Sequence, residues 1–316
     1  MGCTNNGKYI FTLKAYRECA GITYANTQTI NSNSSAGNFT VTLQSGYPKD
    51  ISPVCNSNPA FSHIACATTT VSNTGGVSEY VYKSSALTLN GVPPVSGWIF
   101  TWEDCCRNPC ANITGSINLG WRLRAIMYPY NNTNANPCYD NSPVFAEIPR
   151  TVICSGYPFT YNHNAFDKEL DSLSFAWGQP LLDNGSPVTS YASGYSYTNP
   201  LPGPSQNPNN VSGTVNPING EISFTSFTTG AYVTSVKVTA WKCHIKVAEI
   251  WRDIQVVILP CGTNTPPVVP APFPMNPNPY LDTVYAGDTV HFSLAATDFQ
   301  FLPNGTPQTV SIEASG

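Results

Sequence analysis

Apolar and polar positions alternate with a period of two along most of this chain, the spacing of strands with one buried face. Residues 8–16 (KYIFTLKAY) begin the pattern, and 98–102 repeat it with Trp98, Phe100 and Trp102 set against smaller partners. Residues 38–44, 78–90 and 117–128 predict further strands, and clusters of Gly, Pro, Asn and Ser separate them. A second group covers 151–154, 158–161, 172–177, 191–198, 221–227, 232–241 and 246–259. Seven short strands in about 110 residues are the complement of an immunoglobulin-like sandwich. Residues 281–287, 288–298 and 308–315 alternate again after a Pro/Asn-rich stretch of extended, semi-rigid character. The pattern therefore predicts an all-β chain of tandem β-sandwich, immunoglobulin-like domains with disulfide-stapled loops. The expected divisions are a disulfide-rich domain at 1–150, a sandwich at 151–262, a linker at 263–279 and the start of a third, incomplete sandwich at 280–316.

Composition narrows the function classes. Of 316 residues only 10% are charged, with a net charge of −4. A nucleic-acid partner would leave a basic footprint, so none is expected. Hydrophobic residues make up 41% and aromatics 12%, enough apolar surface for β-rich cores despite the low charge. No apolar run approaches the length of a membrane-spanning helix, and the first residues lack the pattern of a signal peptide. The chain reads as a piece of a longer exported protein.

Eleven cysteines without a Cys-x-x-Cys pair, and four scattered histidines, favour disulfides over a metal centre. The odd count leaves at least one thiol over. Cys154 and Cys261 flank the second domain, and a bridge between them would clamp its ends. Closing a loop of that size is worth up to ~4–5 kcal/mol. Cys105 and Cys106 are adjacent. Across a trans peptide their Cα atoms stand ~3.8 Å apart, less than a relaxed bridge spans. Each is thus expected to find a different partner, making residues 98–110 the knot of the first domain. The scheme that follows pairs Cys3 with Cys19 and Cys55 with Cys66. It groups Cys105, Cys106, Cys110 and Cys138 among themselves, and leaves Cys243 as the free thiol.

Several stretches resemble, in order and over most of the chain, a family of large secreted Bacteroidota surface proteins. These are Tyr16-Arg-Glu-Cys19, Trp102-Glu-Asp-Cys-Cys-Arg-Asn-Pro109, Asn141-Ser-Pro-Val-Phe145, Cys154-x-Gly-x-Pro-Phe159, Tyr161-Asn-His163, Asp171-Ser-Leu173 and Trp251-Arg-Asp-Ile-Gln-Val-Val257. Family members are associated with gliding motility and adhesion and are exported by the type IX secretion system. The resemblance implies an extracellular or cell-surface location. It also implies the secretion machinery and a cell surface, matrix or polysaccharide as partners, while self-association is suggested by the half-domain at 280–316. It marks Ser172, Thr283 and Thr289, each following an Asp, as candidate O-glycosylation sites. The family's usual Asp-Pro-Asp-Gly-Asp-Ser-Leu appears here as Asp167-Lys-Glu-Leu-Asp-Ser-Leu173.

Asp167, Glu169 and Asp171 stand at i, i+2 and i+4, which suits oxygen ligands for Ca²⁺ in a loop. The competing reading is a solvated acidic turn in which Asp171 accepts backbone hydrogen bonds. Beyond that Ca²⁺ no cofactor is expected. Arg107 is expected to form an ion network with Glu103 and Asp104, a structural role rather than acid–base chemistry. Tyr191, Tyr195 and Tyr197, in a Gly/Ser-rich segment, are the candidates for a sugar-stacking patch. No nucleophile elbow, zinc-protease motif or phosphate-cradling loop is present. The leading expectation is a non-enzymatic segment of a surface adhesin. The alternatives are a carbohydrate-binding module and a fibre subunit joined by strand donation.

Overall fold

The computed structural model describes residues 1–3, 7–52, 65–67, 75–132, 138–149, 152–261, 265, 267–285, 287–298, 310 and 312. Among them the chain is all-β, with one 3₁₀ turn at Ser116–Asn118. The first strands are β1 (Gly2–Cys3), β2 (Tyr9–Ile10), β3 (Thr12–Glu18), β4 (Thr27–Ser32), β5 (Phe39–Leu43) and β6 (Lys49–Asp50). β7 (Val77–Lys83), β8 (Trp98–Asp104), β9 (Trp121–Met127) and β10 (Val144–Phe145) complete the first half. The second half contributes β11 (Val152–Cys154), β12 (Pro158–Asn162), β13 (Ala165–Phe166) and β14 (Ser172–Trp177). It ends with β15 (Val211–Val215), β16 (Glu221–Thr225), β17 (Gly230–Lys242) and β18 (Ile245–Leu259).

Alternation explains the first half. β8 turns Trp98, Phe100 and Trp102 inward, and β3 turns Leu13 and Ala15 to the same core. β4 bends between partners, pairing with β5 through Thr27–Ile30 and with β8 through Asn31 and Ser32. The sheet order β3-β7-β5-β4-β8-β9 therefore curls on itself, and Phe11 packs 4.6 Å from Phe100 and 4.7 Å from Phe39. β3 and β9, the ends of this curl, do not pair. The result is an incompletely closed barrel.

The second half is built on the β17–β18 hairpin. Its two-residue turn, Cys243 and His244, has positive φ at both positions (48° and 64°), as a tight right-twisted hairpin requires. β17 is buried along nearly its whole length, which fits its near-continuous run of Val, Ala and Thr. Against one face lies the sheet β12-β16-β15, whose Ile222 and Phe224 share a core with Tyr232, Val236, Val256 and Ile258.

Residues expected in two sandwiches share one sheet. β9 pairs with β18 through Met127↔Ala248, Ile126↔Glu249 and Ala125↔Ile250. Met1–Cys55 and Phe61–Pro260 form one compact unit. Side-chain alternation identifies strands but not their neighbours, which are chosen by main-chain groups that carry no sequence signal. Residues 191–198 make isolated bridges instead of a strand. There Gly194 takes φ 83° and the Ser196 hydroxyl accepts from the Asn199 amide, closing a turn. Among the described residues of 280–298, expected to begin a third sandwich, no strand forms, and Thr297 makes one isolated bridge to Val268 in the expected linker.

Candidate functional site

Neighbouring residues on a strand point to opposite faces, and β18 uses this at Arg252 and Asp253 to hold two buried networks. Arg252 is 5% exposed. It donates through Nη2 to the Tyr16 hydroxyl (3.1 Å) and the Glu147 carbonyl (2.6 Å), and through Nη1 to His163 Nδ1 (3.3 Å). Its guanidinium also lies 5.0 Å from the Phe145 ring centre. A guanidinium only donates, so Nδ1 accepts and Nε2 carries the proton of a neutral imidazole. Burial and the adjacent Arg252 charge pull His163 down to about 3.

On the other face, Asp253 Oδ2 receives Arg107 Nη2 at 3.0 Å, both side chains being buried. Arg107 also donates to the Leu181 carbonyl at 3.0 Å. The loop after β8 is laid along the hairpin by further bonds. Asn108 Nδ2 meets Gln255 Oε1 at 3.3 Å, and Gln255 Nε2 meets the Pro109 carbonyl at 2.9 Å. The Ala111 amide reaches the Ala231 carbonyl at 2.8 Å. Asn112, fully buried, receives the Val233 amide at 2.9 Å and donates to the Val233 carbonyl at 2.7 Å.

This corrects the expected network: the acid beside Arg107 is Asp253, not Glu103 or Asp104. Glu103 faces Arg122 (3.2 Å) and Asn31 (2.6 Å), and Asp104 caps the Cys105 amide at 2.8 Å. The motif stretches around Tyr16, Arg107, Phe145, His163 and Arg252 thus meet at one place. Their membership in those stretches was the only sequence signal for His163 and Tyr16.

Beside this hub opens a cleft of about 540 Å³ in the gap between β3 and β9. Leu13, Ala15, Phe100, Trp102, Leu123 and Ile250 give it an apolar interior, and Lys14, Lys83 and Arg124 add positive charge. Burial lowers the pKa of both Lys14 and Arg124, with Glu79 and Glu249 respectively opposing it. Arg124 stacks 3.9 Å from the Trp251 ring. A smaller cavity of about 130 Å³ lies between Tyr16, Cys106, Arg107 and Asp253.

The three acidic residues proposed for Ca²⁺ are directed apart. Asp167 Oδ1 accepts the amides of Glu169 (2.9 Å) and Asp171 (3.2 Å), so Asp167, not Asp171, closes the turn. Glu169 turns to Asn141, whose side-chain amide and backbone amide both donate to it. Asp171 pairs with Lys242 Nζ at 3.3 Å, and the same ammonium reaches buried Asp140 at 3.2 Å. The ligand atoms of the three do not converge on a point within metal-binding distance. Lys242 supplies the cation at this place. Burial pushes the Asp140 carboxyl well above the usual range, opposed by Lys242 and reinforced by Asp171. Burial likewise raises Asp167, whose Oδ2 has no hydrogen-bond partner.

The cysteine scheme also changes. Cys19 bridges Cys66, which rules out both Cys3–Cys19 and Cys55–Cys66. Cys105 bridges Cys106: the peptide between them is cis and their Cα atoms lie 3.0 Å apart, so the spacing of a trans peptide does not apply. Cys110 is a free thiol, so Cys138, which is disulfide-bonded, has a partner outside the expected group. Cys154 and Cys261 are disulfide-bonded, and Cys243 is an exposed free thiol at the hairpin turn. Cys55 and the side chain of Cys3 lie outside the described residues. Cys19, Asp50 and Cys66 come together closely, but both sulfurs are committed to their mutual bond.

Of the three tyrosines considered for sugar stacking, Tyr191 packs on Ile113, Val188 and Val233, and Tyr195 lies 5.9 Å from Tyr232. Only Tyr197 among them is exposed, so they form no shared platform. Ser172, Thr283 and Thr289 are all exposed. No family model, curated protein or solved structure matches this chain.

Proposed function

We propose that the chain is a non-enzymatic structural segment of a large secreted adhesin, cell-surface or filament-forming, that serves attachment or gliding motility. In this reading residues 151–262 form its immunoglobulin-like part, with the sheet β12-β16-β15 lying over β14-β17-β18. One observation carries the proposal. The loop holding Cys105, Cys106 and Arg107 is bonded along a hairpin more than 100 residues later in sequence, while β9 extends that hairpin's sheet. Tension on either half therefore passes through main-chain ladders and buried ion pairs rather than through a linker. Most of the residues gathered at the hub bind one another: Arg252 donates to three acceptors, Arg107 Nη2 to Asp253 and the Leu181 carbonyl, and His163 is held neutral.

The test is to display residues 1–262 on non-adherent cells and measure retention on glass and polysaccharide under flow. Purified protein is assayed in parallel for hydrolysis of polysaccharides and peptides. Increased retention without turnover is expected. Turnover that is lost on changing hub or cleft residues, with no gain in retention, would overturn the reading.

A further inference from the structure

β3 has one free edge. Its register with β7 pairs Thr12 with Lys83 and Glu18 with Val77. The Cys19 amide reaches the Gly76 carbonyl (2.9 Å) and the Ser84 amide the Phe11 carbonyl (3.0 Å), both on that register. In an antiparallel ladder every second residue bonds to the same neighbour. Residues 11, 13, 15, 17 and 19 are thus committed to β7. The amides and carbonyls of Thr12, Lys14 and Tyr16 point the other way, toward the gap before β9, where no described residue pairs with them.

That gap is the 540 Å³ cleft. An open edge is a template for another strand. Here it borders the apolar interior of the barrel, so an added strand would gain main-chain bonds on one side and side-chain burial beneath. Such strand addition takes affinity from the backbone and selectivity from alternate side chains. Three open positions on alternate residues call for an incoming stretch of about five residues, ~17 Å long. Its inward side chains must be apolar, to meet Leu13, Ala15, Phe100 and Leu123. Its outward side chains, beside Lys14 and Arg124 on the other face, must be polar.

The chain carries a segment of this description at 288–294 (DTVHFSL). Val290, Phe292 and Leu294 recur at every second position, are 37%, 55% and 42% exposed, and share one face, while Thr289, His291 and Ser293 put polar groups on the other. Among the described residues this segment belongs to no strand. We propose that the β3 edge is a strand-acceptor site and that its occupant is residues 288–294 of a second copy of this chain. The copies then join head to tail, and the open β3 edge of each is covered by its neighbour. This goes beyond the adhesin reading, since a non-adhesive protein would assemble in the same way.

The experiment follows self-association of the 316-residue chain by sedimentation velocity over a range of concentrations. Free peptide of sequence 288–294 is added as competitor, and its binding is measured directly by fluorescence anisotropy. Concentration-dependent oligomers that the peptide dissolves are expected. Lys14→Pro removes an outward amide that β7 does not use, a position where an edge strand tolerates proline. Thr12→Pro does the same at the first outward amide. Each should weaken peptide binding by about tenfold or more, with an unchanged circular dichroism spectrum confirming the fold. A chain that stays monomeric and does not bind the peptide would overturn the proposal. So would association indifferent to both substitutions, or equal binding of a peptide of the same composition whose apolar residues do not alternate.

Discussion

Two buried charge networks lie on the β17–β18 hairpin and are built on opposite principles. At Arg252 one guanidinium meets a phenol, a carbonyl and a neutral imidazole, while Arg107 is matched one-to-one with Asp253. At Lys242 a single ammonium faces two carboxyls, Asp140 and Asp171, with Asp167 close behind them in the same loop. In the first, Arg107 and Asp253 match one charge with one and Arg252 is held by neutral acceptors, so it fixes geometry. The second has more acid than base, so its state follows pH. Charge stoichiometry, not burial, separates them, for both lie largely out of water.

The largest effect expected from this difference is at the balanced pair. Arg107→Ala leaves Asp253 buried without its partner, a situation that costs about 3–5 kcal/mol. Urea unfolding should register that loss, and it should detach the 105–112 loop from the hairpin, seen as faster hydrogen exchange at Ala111. Replacing both partners, as Arg107→Met with Asp253→Leu, should restore most of the stability because no charge is stranded. A single substitution as mild as that of an exposed ion pair would break the distinction between the two regions.

Acid should act on the two regions with opposite signs. His163 has a folded pKa pulled down to about 3, against an unfolded value near 6.5. Between those values the unfolded chain binds the extra proton, so stability falls as pH falls. The loss is about 2 kcal/mol between pH 6.5 and 5. Asp140 has a folded pKa raised by burial above its unfolded value. There the folded chain binds the extra proton, so stability rises as pH falls through that range. In the parent protein the two slopes oppose each other. His163→Gln, which still accepts from Arg252 but does not titrate, should leave a chain that acid stabilises. Asp140→Asn should leave one that acid destabilises more steeply than the parent. Denaturation midpoints for the three proteins at pH 5, 6 and 7 separate the contributions, and equal slopes in all three would remove the contrast.

The legibility of these regions in the sequence differs for physical reasons. Strands such as 98–104 show themselves because burial and side chains alternate together, and 245–259 does so over its middle, 252–256. β4, with the sequence TQTINS, does not, since polar side chains hide a strand whose main chain bridges β5 and β8. The Arg107–Asp253 pair spans 146 positions and no local spacing predicts it. The motif around Arg107 marked the place without naming its partner. Nor does any local spacing place β9 beside β18, which are joined through backbone groups. The acidic loop at 167–171 was legible in composition but not in direction. Its i, i+2, i+4 spacing says nothing of Asn141 and Lys242, which come from elsewhere and draw two of the carboxylates outward.

That loop gives the smallest effect expected, and the sharpest statement about the unbalanced region. Ca²⁺ needs six or more oxygens converging at about 2.3–2.6 Å. Here Asp167 spends one oxygen on two backbone amides, Glu169 is held by Asn141, and Asp171 is held by Lys242. A cation entering would have to displace the Lys242 ammonium and break the turn that positions the other two ligands. Millimolar Ca²⁺ should therefore leave the melting temperature unchanged within about 1 °C. A site filled at 100 times its dissociation constant would add about 2.7 kcal/mol, a rise of roughly 5 °C or more at this chain length. Lys242→Met is the informative companion, because it removes the competing cation while leaving all four carboxyls in place. If Ca²⁺ then stabilises the variant but not the parent, the ammonium is what excludes the metal. If Ca²⁺ stabilises neither, the divergence of Asp167, Glu169 and Asp171 is sufficient on its own.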